Sequence, residues 1–256
     1  MRTAILTVAA LVALAAATTA AEASEPQKFC DPKAPNLLLM LDVTTPYDAI
    51  DKTALIDGVG RIFENLGGGE RIVIRTIEDT FTNSHRLLDV CVPFCPPGGM
   101  FGDLFSSCTQ GVVINEKKVL RRTLVEKLSA LFDSASELDH SEIIRTLSSA
   151  PKEEGRPDRD NRIFVFSNMI ENSQYLSGKD FFAAKDSALI EKLERDSLLP
   201  SAWQADVRVF GIGRTGTPGN RTALPQAKLQ KLTSFWTKYF AAGGGTLHMS
   251  QNLDLD

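Results

Sequence analysis

The sequence predicts an α/β fold, a largely parallel central sheet flanked by helices, and three observations carry that prediction. A continuous apolar run at 37–42 has the make-up of a strand buried on both faces, and RIFVFS at 162–167 and DVRVFGIG at 206–213 read as further buried strands. The segments between such runs space their apolar residues at helical intervals. Strands alternating with helices require crossovers, which are right-handed and favour parallel pairing.

In chain order, LLLMLD at 37–42 is a central strand. Residues 48–65 place Ile50, Leu55, Ile56, Val59, Ile62 and Phe63 on one helical face, and Gly67, Gly68 and Gly69 end that helix. RIVIRTI at 71–77 is a strand, and 86–92 is its hairpin partner or neighbour. An amphipathic helix spans 115–133 through Val119, Leu120, Leu124, Leu128, Leu131 and Phe132. A shorter helix covers about 140–149, its start marked by Asp139 and Ser141. The charged stretch PKEEGRPDRDN reads as a surface loop before the strand at 162–167. A charged helix at 179–196 precedes the buried strand at 206–213. A polar loop, RTGTPGNRTALP, leads to a helix at 225–241 bearing Phe235, Trp236, Tyr239 and Phe240, and a last strand runs through 246–249.

The first residues have a leader's layout: Arg2, an apolar run from Ala4 to Ala17, then Ala21-Glu22-Ala23. The apolar run is shorter than the roughly 20 residues of a membrane span. Cleavage after Ala23 is expected, giving a soluble, exported chain, periplasmic or secreted, whose residues 24–256 form one domain. Formal charge over the whole sequence is −4, with both signs evenly mixed. No basic footprint for nucleic acid is present. The four cysteines, Cys30, Cys91, Cys95 and Cys108, suit two disulfides in an oxidising compartment, with three pairings open. Zinc is disfavoured, since a lone cysteine after C-x3-C lacks the paired spacing of zinc ribbons. Residues 91–114 read as a stapled insertion rich in Cys, Pro and Gly, whose Phe94, Met100, Phe101 and Phe105 form a candidate contact surface.

In parallel sheets, ligands bind outside the carboxyl ends of the strands. Here that edge holds Asp42, Thr44 and Thr45, then Ser167, Asn168 and Glu171 to Ser173, then Arg214 to Arg221. GIGRTG at 211–216 matches a dinucleotide fingerprint in outline. Thr217-Pro218-Gly219 continue the loop where that fingerprint opens a helix, so a glycine-rich strand exit is the simpler reading, and the alternative is that Arg214 and Arg221 meet an acidic partner. His85, His140 and His248 are scattered, and no catalytic constellation emerges.

LLLMLDVTTP, RIFVFSNMIENS and FWTKYFAAGGG together resemble a von Willebrand factor A-type domain of the divergent, exported bacterial kind. The resemblance covers most of the chain outside the cysteine insertion. It implies a three-layer, Rossmann-like architecture and a metal-ion-dependent adhesion site, in which Mg²⁺ held by hydroxyls and carboxylates is completed by a partner's acid. Asp42 and Thr44 match its first acid and hydroxyl. Pro46 stands at the second hydroxyl, with Thr45 beside it, and Ser136 or Ser141 supplies the mid-chain hydroxyl. Asn168 replaces the final acid. One charged ligand is a poor cage for Mg²⁺, so the site reads as degenerate, with Mg²⁺ bound weakly through Asp42, Thr44 and Ser141 or no cofactor at all. The implied function is non-catalytic binding of a protein or envelope component, with Thr45, Asn168 and Glu171 facing the partner.

Haloacid-dehalogenase-type phosphatases share the strand ending in Asp and the later strand ending in Ser. Thr44 stands where their general acid belongs, and no downstream acidic pair follows a later strand, so leaving-group protonation and charge neutralisation both lack a donor. A purely structural subunit of an envelope assembly is the third reading.

Overall fold

A computed structural model of the chain describes residues 29–95, 108–200 and 204–252. The elements in order are β1 (Asn36–Asp42), α1 (Ala49–Glu64), β2 (Arg71–Ile77), β3 (Arg86–Cys91), α2 (Gln110–Ser134), α3 (Ile143–Glu154) and β4 (Asn161–Phe166). Then come α4 (Gly178–Ala183), α5 (Asp186–Arg195), β5 (Asp206–Phe210), β6 (Arg214–Thr215), β7 (Thr222–Ala223), α6 (Gln226–Ala242) and β8 (Thr246–Ser250). Six strands pair in the order β3-β2-β1-β4-β5-β8, all parallel except β3, which runs antiparallel to β2. The short β6 and β7 form a separate hairpin.

Period-two alternation in β1 explains why both faces of the sheet carry a core. Leu37, Leu39 and Leu41 pack with Leu55, Val59 and Phe63 of α1 and with Leu124, Leu128 and Phe132 of α2. Leu38 and Met40 point the other way, toward Ile143, Ile144 and Leu147 of α3 and the aromatics of α6. Trp236 and Tyr239 are wholly buried, and their polar atoms find backbone acceptors: Trp236 Nε1 donates to Met169 O at 2.9 Å and Tyr239 Oη to Leu198 O at 2.8 Å.

Several elements differ from the sequence reading. α2 starts earlier, where Thr109 Oγ1 accepts from Val112 N at 3.3 Å as its cap. Ile50, placed by periodicity on the apolar face of α1, is 80% exposed. α3 continues through Pro151 into the predicted surface loop and ends at Glu154, whose carboxylate is fully buried. Arg86 Nη2 reaches Glu154 Oε1 at 2.6 Å and Arg71 Nη2 reaches Oε2 at 3.1 Å, so tertiary ion pairing outweighs the proline. The predicted helix at 179–196 is two helices. Ala184 and Lys185 are extended, and the freed Ala184 O accepts from Lys231 Nζ at 2.6 Å.

The cysteines pair as Cys30–Cys91 and Cys95–Cys108. The leader expected at 1–23 lies outside the described residues, as do Met100, Phe101 and Phe105 of the insertion. Among the described residues no helix is long and apolar enough to cross a membrane.

Candidate functional site at the carboxyl edge of the sheet

β1 and β4 are adjacent and parallel, so they deliver Asp42 and Ser167 side by side to one edge of the sheet. Asp42 is 2% exposed and both its oxygens are engaged. Oδ1 accepts from Thr44 N at 3.1 Å and Thr44 Oγ1 at 2.6 Å, a local turn closed by the side chain. Oδ2 accepts from Ser167 Oγ at 2.6 Å. Ser167 is oriented in turn, because its Oγ accepts Met169 N at 2.8 Å, which leaves its proton for Asp42. Met169 sits at φ 60°, an uncommon conformation for a side chain of its size, and Trp236 holds its carbonyl. Burial raises the Asp42 carboxyl above its ordinary range, and the hydroxyl hydrogen bonds offset part of that rise.

The opposite wall comes from α1 and the β5–α6 excursion. Asp48 caps α1 by accepting from Asp51 N at 2.8 Å, and its other oxygen accepts from Gly219 N at 2.9 Å. Asp51, 3% exposed, pairs with Arg214 and, at 3.1 Å, with Arg221 Nε. Arg221 also donates to Pro46 O and, through Nη1 at 2.8 Å, to Gly216 O. The excursion leaves β5 through Gly213 at φ 70°, a conformation that favours glycine. Tyr47 donates to Asp42 O, and burial, with Asp42 and Asp51 nearby, raises its hydroxyl well above the usual range.

Between these walls lies a cavity of about 30 Å³ lined by Asp42, Thr45, Tyr47, Asp51, Ser167, Asn168, Gly211, Arg214 and Arg221. The predicted residues Asp42, Thr45 and Asn168 therefore meet, and Thr44 lies directly behind Asp42. Ser141 does not join them. It is 7% exposed, pairs through its backbone with Asn172, and its Oγ has no hydrogen-bond partner among the described residues. The alternative hydroxyl, Ser136, lines a different cavity with Val43 and Glu78. Glu171, expected to face a partner, is instead wholly buried. Its Oε2 accepts from Ile144 N at 2.9 Å and its Oε1 from Ser173 Oγ, and burial raises its carboxyl to about 8.

Tyr47 and Asp51 were not anticipated. An acid in the first turn of a helix reads as dipole compensation, and nothing local announces that two arginines some 165 residues away will reach it.

The lining does not suit Mg²⁺. Asp42 is its one acid without a cation partner, both of its oxygens already take hydroxyl protons, and two guanidinium groups share the cavity with it. As a nucleophile Asp42 would have to release Thr44 or Ser167 first. No protein-family model and no curated protein matches the chain.

Proposed function

We propose that the chain is an exported, non-catalytic binding protein of the von Willebrand factor A type, and that its partner, a protein or envelope component, docks at the carboxyl edge around Asp42. One observation carries this reading. The central strands β1 and β4 deliver Asp42 and Ser167-Asn168 to a single cavity, and two further segments, the start of α1 and the β5–α6 excursion, wall it. A parallel sheet presents its ligands at that edge. The adhesion site is degenerate: its acid is retained as an anchor for the loop, and recognition falls to the half-buried Thr45 and Asn168 beside it. Two disulfides fit an oxidising compartment.

Immobilised mature protein, exposed to an extract of the compartment it occupies, tests this reading. Thr45→Arg is expected to abolish capture of the partner, and Glu126→Arg on the exposed face of α2 to leave it intact. Equal capture by both variants would place the interface elsewhere.

A further inference from the structure

We propose that the cavity is a carboxylate pocket, in which Arg214 receives an aspartate or glutamate side chain of the docking partner directly, without a bridging metal ion. The proposal rests on the docking role assigned to this edge, and it names the chemical group that is recognised.

The hydrogen-bonding state of the lining decides the sign of the ligand. Every nitrogen of Arg221 already has a partner: Nε meets Asp51, Nη1 meets Gly216 O and Nη2 meets Pro46 O. Arg214 engages Asp51 through Nη2 alone, and its Nε and Nη1 have no partner among the described residues. Asn168 Oδ1 accepts from Ile170 N at 2.9 Å, which turns its Nδ2 donor away from the backbone. The Thr45 hydroxyl has no partner among the described residues either. The groups left unengaged are thus two guanidinium nitrogens of Arg214, an amide N–H pair and a hydroxyl, all able to donate.

Acceptors in the same lining are already engaged. Asp51 is balanced by two guanidinium groups, and both oxygens of Asp42 take hydroxyl protons. A guanidinium N–H makes a charge-assisted hydrogen bond to a carboxylate, among the strong kinds a side chain can offer. The volume of about 30 Å³ has room for a head group of a few atoms. Asn168 inverts the polarity that an acid would give at its position, offering a donor where a metal site needs an acceptor.

The test uses the ¹⁵N-labelled mature protein, followed by NMR at the Arg214 Nε–H and Asn168 Nδ2 signals. Sodium acetate is the probe, with sodium chloride at equal ionic strength and magnesium chloride as comparisons. Acetate is expected to shift both signals saturably, with a Kd in the millimolar range suited to a fragment. Arg214→Gln should weaken acetate binding at least about tenfold, which corresponds to about 1.4 kcal/mol. Asn168→Asp, which leaves the hairpin contacts untouched, should weaken it as well by adding a like charge. Equal shifts with chloride mean an adventitious ion only and overturn the proposal. So do saturable shifts with Mg²⁺ and none with acetate, or unchanged acetate binding in both variants. Partner capture that is lost in Thr45→Arg yet kept in Arg214→Gln would retain the docking edge and refute the carboxylate. Acetate binding without any partner lost in Thr45→Arg would do the reverse.

Discussion

Glu171 shows how a single residue ties stability to pH. Its carboxyl is pushed from an ordinary 4.5 to about 8 by burial. A group whose folded pKa lies above its unfolded value contributes fully below the unfolded value, and that contribution is lost as pH rises through the folded one. Stability should therefore decline between about pH 4.5 and pH 8, by roughly 5 kcal/mol in total. Glu171→Gln mimics the protonated acid, so urea unfolding at mildly acidic and mildly alkaline pH should differ far less in the variant. An equally steep decline in the variant would assign the dependence to another group. Ser167→Ala removes one hydrogen bond to the buried Asp42 and should cost about 1–3 kcal/mol in the same assay. It should also raise the Asp42 carboxyl further, since that hydrogen bond lowers it. Asp42, Thr45 and Asn168 were legible in the sequence because each lies at the end of an apolar strand or within three residues of it. Glu171 was misread because the same loop carries both a cavity residue and a core residue, and sequence proximity does not distinguish them.

At the scale of elements, the end of α3 is the most instructive. Glu154 gathers Arg71 of β2, Arg86 of β3 and, more distantly at 3.5 Å, Arg75, while Asp89 and Glu153 balance the surplus cations. Glu154→Ala leaves buried guanidinium groups without their central anion and should cost about 3–5 kcal/mol, read as a drop in the denaturation midpoint. A loss well under about 1 kcal/mol, typical of surface pairs, would show that the network is solvent-screened. Periodicity found the central strands and the aromatic α6 because those elements bury continuous or evenly spaced apolar sets. It missed the course of α3 past Pro151, whose burial depends on ion pairs with strands more than 60 residues earlier in the chain. It also fused α4 with α5, because the break between them is held by Lys231 of α6, a contact with no local signature.

For the whole molecule, the sequence conveyed the class of fold and the strand-end edge where Asp42, Thr45 and Asn168 meet, while cysteine counting left the pairing open. Cys30–Cys91 closes 61 residues and Cys95–Cys108 closes 13. Chain-entropy reasoning gives about 4 kcal/mol for the longer loop and about 3 kcal/mol for the shorter. Replacing each pair with serine should reduce unfolding free energy in that order, and the reverse order would show that local packing dominates. Pairing by sequence alone fails because three connectivities are equally compatible with four cysteines. The tie of residue 30 to the end of β3 becomes visible only once the sheet places β3 at its edge. The edge around Asp42 is proposed as the docking surface. A photo-crosslinking amino acid at Thr45, with the same label at Glu126 as control, tests it most directly in the producing cell. A discrete adduct with one partner from Thr45 and none from Glu126 is the expected result; adducts from Glu126 alone, or from neither position, would contradict it.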